Sequence, residues 1–306
     1  MLPPLPVAAS PGPWSAAWVG PLLAMVGAVA FSGKAIIVKL AYRHEVDAIT
    51  LIMLRMAVAL PFFLLMLWWA GRGRPALPAR DRLAVAALGF SGYYLASFLD
   101  FLGLQYISAS LERLILYLTP VVVLLLSWAL YGRRASRRQW LAMVLGYFGL
   151  LLVFGRELTI EGPRVALGSA LVLASTLSYA AYLLYSGEVV RRIGALRLTG
   201  WASCVACALC LAQFALLRPL AGVLEIATPV LWLSLLNGTL CTVLPVLLVM
   251  MAIERIGPAR TAQFGMVGPI STIVLGVLLL GEPFGAWLAA GSACVLASVT
   301  LLARSR

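Results

Sequence analysis

The chain alternates long apolar runs with short polar connections. Ten runs stand out, at 18–38, 49–69, 83–104, 109–130, 140–154, 166–186, 198–217, 229–251, 258–279 and 284–302. Most reach the ~20 residues that a helix needs to cross the hydrocarbon of a bilayer, and 140–154 is the short one. Strands of a membrane barrel would be about half as long and would alternate in polarity, so a barrel does not fit. The pattern predicts an all-α integral membrane protein with ten transmembrane helices. The opening stretch 1–13 is proline-rich and has no charged side chain, so it lacks the basic region of a secretory signal.

An internal echo organises these runs. Residues 104–132 read LQYISASLERLILYLTPVVVLLLSWALYG, and 253–281 read IERIGPARTAQFGMVGPISTIVLGVLLLG. Aligned without a gap, Ile107 falls on Ile256, Pro120 on Pro269, Leu126 on Leu275, Leu130 on Leu279 and Gly132 on Gly281. The offset of 149 positions is nearly half of the 306 residues. Five spans per half would set the copies in opposite orientations, as in inverted-repeat transporters. The expected organisation is a short cytoplasmic segment at 1–17, a first five-helix repeat at 18–155 and a second, inverted one at 156–306.

Composition agrees with lipid as the solvent. The chain is 63% hydrophobic and 11% charged, with a mean hydropathy of +1.01, too apolar for the surface of a soluble domain. The net charge of +12 would suggest nucleic acid if it formed one face, but the basic residues lie in clusters between apolar runs. Alternate connections hold 15 of them, from Arg72 to Arg306, against five on the other side (Lys39, Arg43, Arg156, Arg164 and Arg218). The positive-inside rule then places both termini in the cytoplasm of a bacterial inner-membrane protein. The expected partners are membrane lipids and a small-molecule substrate, with no nucleic acid and with a monomer or weak dimer as the assembly.

Enzyme and metal signatures are lacking. The single histidine, His44, excludes a multi-histidine metal centre, and Cys204, Cys207 and Cys210 read as small packing residues. There is no dinucleotide fingerprint, phosphate loop or nucleophile elbow. The chain is therefore expected to be no enzyme and to carry no cofactor or metal. The absence of an ATP-binding motif argues against a self-contained primary pump.

Charged residues inside apolar runs are the sharpest site signal, because a lone charge facing lipid is expensive. Lys34 lies deep in the first run. It is a candidate contact for a substrate carboxylate, with an ion pair to Asp100 or Glu112, or snorkelling to the interface, as the alternatives. Arg55 is a candidate partner of Asp100. Glu112 and Arg113 are adjacent and are expected to serve different partners; Glu112 is a candidate for a coupling proton. Ser32, Tyr94, Ser178, Tyr182, Asn237 and Gln263 are further substrate-binding candidates. The two carboxamides weigh most, since each has donors and an acceptor to satisfy in hydrocarbon. Pro120 and Pro269 remove amide donors in mid-span. With Gly265 and Gly268 they are candidate hinges or static kinks.

On these residues the chain resembles the EamA-like branch of the drug/metabolite transporter superfamily. The quoted segments Tyr106-Ile107-Ser108-Ala109, Leu118-Thr119-Pro120-Val121 and Gly281-Glu282-Pro283 follow the family pattern, and the likeness covers essentially the whole chain. Departures are Arg133 after Gly132, where glutamate is frequent, and Glu112-Arg113, where small and apolar residues are usual. The resemblance implies two inverted five-helix units around a central cavity. Within the family the pattern is nearest the aromatic amino acid exporters of the YddG kind. It thus implies a secondary transporter exporting amino acids and related small metabolites by alternating access. The alternatives are broad efflux of drugs or cations and a non-transporting membrane scaffold.

Overall fold

The structure is a computed structural model that describes residues 16–132, 135–154, 164–219, 226–268, 271 and 286–303. Among these, every regular element is a helix. Backbone amides and carbonyls have no partner in hydrocarbon, so apolar runs of this length satisfy them within one helix.

The first run folds as α1 (Ala16–Phe31) and α2 (Lys34–Tyr42), broken at Ser32 and Gly33. The second is α3 (Ala48–Gly71), started by Asp47, whose carboxylate accepts from the amides of Ile49 (2.9 Å) and Thr50 (3.3 Å). The third is α4 (Ala79–Leu88) and α5 (Ala96–Leu104), joined by a π-helical turn over Gly89–Leu95. The fourth is α6 (Ala109–Leu116) and α7 (Thr119–Tyr131). Then come α8 (Arg137–Phe154), α9 (Val165–Ile193) and α10 (Ala195–Leu217). The eighth run is α11 (Thr228–Gly238) and α12 (Leu244–Ile256), joined by a π-helical turn over Thr239–Val243. Next are α13 (Pro258–Phe264), a 3-10 turn over Gly265–Val267, and α14 (Ala286–Ala303).

Seven of these spans are long and apolar enough to cross a membrane, from Trp18–Tyr42 to Thr228–Ile256. The chain is thus an all-α, multi-pass membrane protein. The helices α8 and α14, 18 residues each, pack along one another. Beyond Gly268, most of the run at 258–279 lies outside the described residues, Pro269 included, as do residues 1–15.

Two expectations change here. Helix α9 continues to Ile193, past the apolar run's end at 186, because Val189, Val190 and Ile193 stay buried against the fold while Glu188, Arg191 and Arg192 take the other face. It ends at Gly194, and α12 at Gly257, with φ of 84° and 80°, which favour glycine. Pro120 does not kink a helix interior. It occupies the first turn of α7, after a break at Tyr117–Leu118, where its missing amide costs nothing.

Helices α3 and α10, α8 and α14, α1 and α12, and α5 and α9 form the broadest contacts. Bulky apolar side chains such as Leu65, Trp69, Val144 and Phe148 point outward, where lipid solvates them.

Candidate functional site

The breaks in the helices surround a cavity of about 170 Å³. That is comparable to an engineered cavity of about 150 Å³ that holds benzene, so it has room for a small molecule. Lys34, Arg55, Tyr93, Asp100, Arg113, Tyr117 and Tyr179 contribute its polar and aromatic wall. Leu183, Val246, Val249, Ala262 and Gly265 contribute an apolar one. Irregular backbone at membrane depth is tolerated where it lines a cavity, and π-turns recur at functional sites.

The charged end is built from the break between α1 and α2. Interrupting the helix frees the carbonyl of Ser32, and Arg113 Nη2 donates to it. Lys34, the first residue of α2, donates to Asp100 Oδ2 and lies 3.2 Å from Glu112 Oε1. Arg113 Nε lies 3.5 Å from Glu112 Oε2. Glu112 and Arg113, expected to serve different partners, therefore also contact each other; buried on α6, their long side chains bend to the same site. All four are buried. Arg55 differs. It is 3% exposed, its guanidinium stacks over the Phe101 ring at 4.7 Å, and its Nε and Nη2 have no hydrogen-bond partner among the described residues. No carboxylate among the described residues pairs with it within 4 Å, so the expected Arg55–Asp100 pair is not formed. Three cations thus face two carboxylates, an excess of one positive charge.

The hydroxyls contribute less than their number suggests. Ser175 donates to Ala96 O (2.7 Å), Thr119 to Leu116 O (2.5 Å), Thr242 to Asn237 O (2.7 Å) and Thr261 to Gly257 O (2.8 Å). Each is spent on a backbone carbonyl, so none of them is a free donor toward the cavity. The charged end lies toward the connections at 43–47 and 105–108. Leu183, Val249 and Thr261 lie toward the opposite ends of their helices, near Gly194 and Gly257.

With this geometry in view, comparison with known proteins decides the family. The model of the EamA-like transporter family matches residues 18–155 and 166–304. The chain belongs to the EamA-like transporter family. It is therefore a small-molecule transporter and not an enzyme. It is 31% identical over 282 residues to the uncharacterized transporter YcbK of Bacillus subtilis, covering 87% of this chain and 86% of the relative. The uncharacterized transporter YetK of the same organism is 23% identical, over 92% of this chain and 86% of its own. A crystal structure at 16% identity superposes with a TM-score of 0.75, over 92% of this chain and 95% of its own, which shows the shared fold.

Within this family member, the residues singled out from sequence divide sharply. Lys34, Arg55, Asp100, Arg113, Pro120 and Gly265 line the cavity, with Glu112 directly behind Lys34. The others lie outside the cavity wall, and Ser32, Ser178, Tyr182 and Gln263 among them bond to other helices. The Ser32 hydroxyl lies 2.8 Å from Ala28 O and 2.9 Å from Gly268 O. Ser178 donates to Ser91 O (2.8 Å). Tyr182 sits one layer back, its hydroxyl bonded to that of Tyr93 and 3.3 Å from Met250 Sδ. Gln263 Oε1 accepts from Gln139 at 3.5 Å, and Asn237 is fully buried with neither amide atom paired among the described residues. Tyr94 packs between Phe90 and Phe98, while its neighbour Tyr93 takes the cavity wall. Tyr117, at the break between α6 and α7, was not singled out from sequence, and no hydrophobic period marks it.

Proposed function

We propose that this transporter exports amino acids, aromatic ones among them, and related small metabolites from the cytoplasm by alternating access. The observation that carries the reading is the cavity's charge: one buried positive charge in excess, beside tyrosine rings and an apolar far end. A small carboxylate with an apolar body complements that wall. A cationic drug meets the excess positive charge instead, so cation efflux is less well supported.

The moving parts in this proposal are two inverted five-helix repeats forming ten spans, with the cavity on their pseudo-two-fold axis. Support comes from the 149-residue register. It carries Arg137–Phe154 onto Ala286–Ala303, and these two helices pack together. It carries the α1–α12 contact onto the α9–α5 contact. It also pairs cavity-lining positions, including Lys34 with Leu183, Asp100 with Val249, Arg113 with Ala262 and Leu116 with Gly265. Charge survives in one repeat only, which gives the cavity a polar and an apolar end. With both termini cytoplasmic, as the distribution of arginines supports, the polar end lies in the outer half of an inner membrane. Glu112, buried behind Lys34, is the candidate carrier of a coupling proton.

The test is counterflow of a mixed amino acid panel through purified protein in liposomes, with and without a pH gradient. Saturable counterflow of selected amino acids is expected. Folded protein that moves none of the panel would overturn the substrate, and protein that moves no small solute would point to a scaffold.

A further inference from the structure

We infer that Arg55 is the carboxylate anchor of the cavity, and that the carboxylate, with or without an α-ammonium group, is what the site requires of its ligand. This rests on the reading of the cavity as the transport site. The argument is an accounting of charge and donors. Lys34 is held between Asp100 and Glu112, and Arg113 between Glu112 and the Ser32 carbonyl. Those four groups balance, leaving no net charge. Arg55 is left over, buried and lining the cavity, with two nitrogens unpaired among the described residues. A buried cation without a partner is costly unless something in the functional cycle pairs it.

The setting of Arg55 fits a planar anion. The guanidinium carbon lies 4.7 Å from the centre of the Phe101 ring, a cation–π contact, and a guanidinium is the group that can give a carboxylate two N–H groups at once when the cavity wall admits one. Its backbone is braced as well. A Cβ placed on Gly238 would sit 2.9 Å from Arg55 O, so the end of α11, where the second π-turn begins, abuts α3 at this residue. A bound carboxylate at Arg55 completes neutrality, whereas an ammonium adds a charge to a cluster already balanced. The apolar end at Leu183 and Val249 takes the body of the ligand.

The experiment compares three probes on purified full-length protein by calorimetry: phenylalanine, 3-phenylpropionate and phenethylamine. The expected result is that 3-phenylpropionate binds at least as tightly as phenylalanine and that phenethylamine does not bind. Arg55→Gln weakens both carboxylates by about tenfold to a hundredfold, the range for charge-assisted hydrogen bonds, and Arg55→Lys falls between. Because Arg55 is unpaired, Arg55→Gln without ligand unfolds at the wild-type temperature or above it, which a structural ion pair would not permit. Phenethylamine binding as well as phenylalanine would overturn the inference. So would unchanged carboxylate affinity in Arg55→Gln, or a destabilised Arg55→Gln. Amino acid counterflow that persists undiminished in Arg55→Gln sinks the anchor and leaves the exporter reading standing. Absence of both binding and counterflow in the wild type sinks both.

Discussion

Replacing Lys34 with methionine separates structure from substrate binding at the charged end. Lys34 sits between two carboxylates on different helices, Asp100 on α5 and Glu112 on α6, and all three residues are at most 3% exposed. At the 3.2 Å separation of Lys34 and Glu112, the attraction is about 5 kcal/mol with an effective dielectric of 20. Desolvation offsets part of this in the intact pair. Removing the cation strands two buried carboxylates, and breaking such a pair costs about 3–5 kcal/mol. The expectation is that Lys34→Met loses stability on that scale and that adding Glu112→Gln restores part of it. The assay is a double-mutant cycle of unfolding in detergent with Lys34→Met, Glu112→Gln and both. A coupling of about 1 kcal/mol or more is expected for groups in direct contact. Lys34→Met within about 0.5 kcal/mol of wild type, or a cycle with no coupling, would refute the reasoning. Loss of flux with stability intact would instead make Lys34 the substrate contact.

Other outcomes follow from steric and capping details. A Cβ on Gly265 has nothing within 4 Å and faces the cavity, so Gly265→Leu should leave thermal unfolding unchanged while abolishing counterflow. A Cβ on Gly92 would collide with the Tyr182 ring, so Gly92→Ala should cost about 1–3 kcal/mol in unfolding measurements. Asp47→Ala removes the cap of α3 and the 3.3 Å pair with Arg218, at about 1 kcal/mol. Burial pushes the Asp47 carboxyl up, but hydrogen bonds from Thr50 and Arg218, with the Arg218 charge, outweigh it and hold it below its ordinary value. The folded value lies below the unfolded one, so this stabilisation is present above the unfolded value and lost as pH falls through the folded one. Wild type and Asp47→Ala should therefore converge in stability at low pH.

The seven long spans among the described residues were legible because hydrocarbon imposes length and apolarity on every crossing helix. Charge was legible for the same reason: Lys34, Arg55, Asp100, Glu112 and Arg113 are too costly to bury in lipid without purpose, and the structure gathers them at one end of the cavity. Which charge pairs with which was not legible. Partner choice depends on side chains from α2, α3, α5 and α6, and periodicity along one helix does not fix distances between helices. The two carboxamides divide for a related reason: Gln263 meets Gln139 of another helix, whereas Asn237 is buried with neither amide atom paired among the described residues.

Tyr93 and Tyr94 show where a helical reading fails at finer scale. A regular helix advances 100° per residue, so choosing the wrong tyrosine rotates the expected surface by more than a quarter turn. The π-turn over Gly89–Leu95 adds a residue to the turn and shifts everything after it around the axis. Tyr93 therefore faces the cavity and touches Tyr182, while Tyr94 packs against Phe90 and Phe98. Glycine permits the arrangement: a Cβ on Gly89 would collide with the Ala202 carbonyl of α10, and one on Gly238, 149 positions later, would press on the Arg55 carbonyl of α3. The two glycines let α10 and α3 approach closely where the two π-turns begin, at matching places in the register. Each turn aims one side chain, Tyr93 or Thr242, into the same cavity. The 149-position offset was visible in sequence, but the turns that stand at matching places along it were not, because no hydrophobic period reports them.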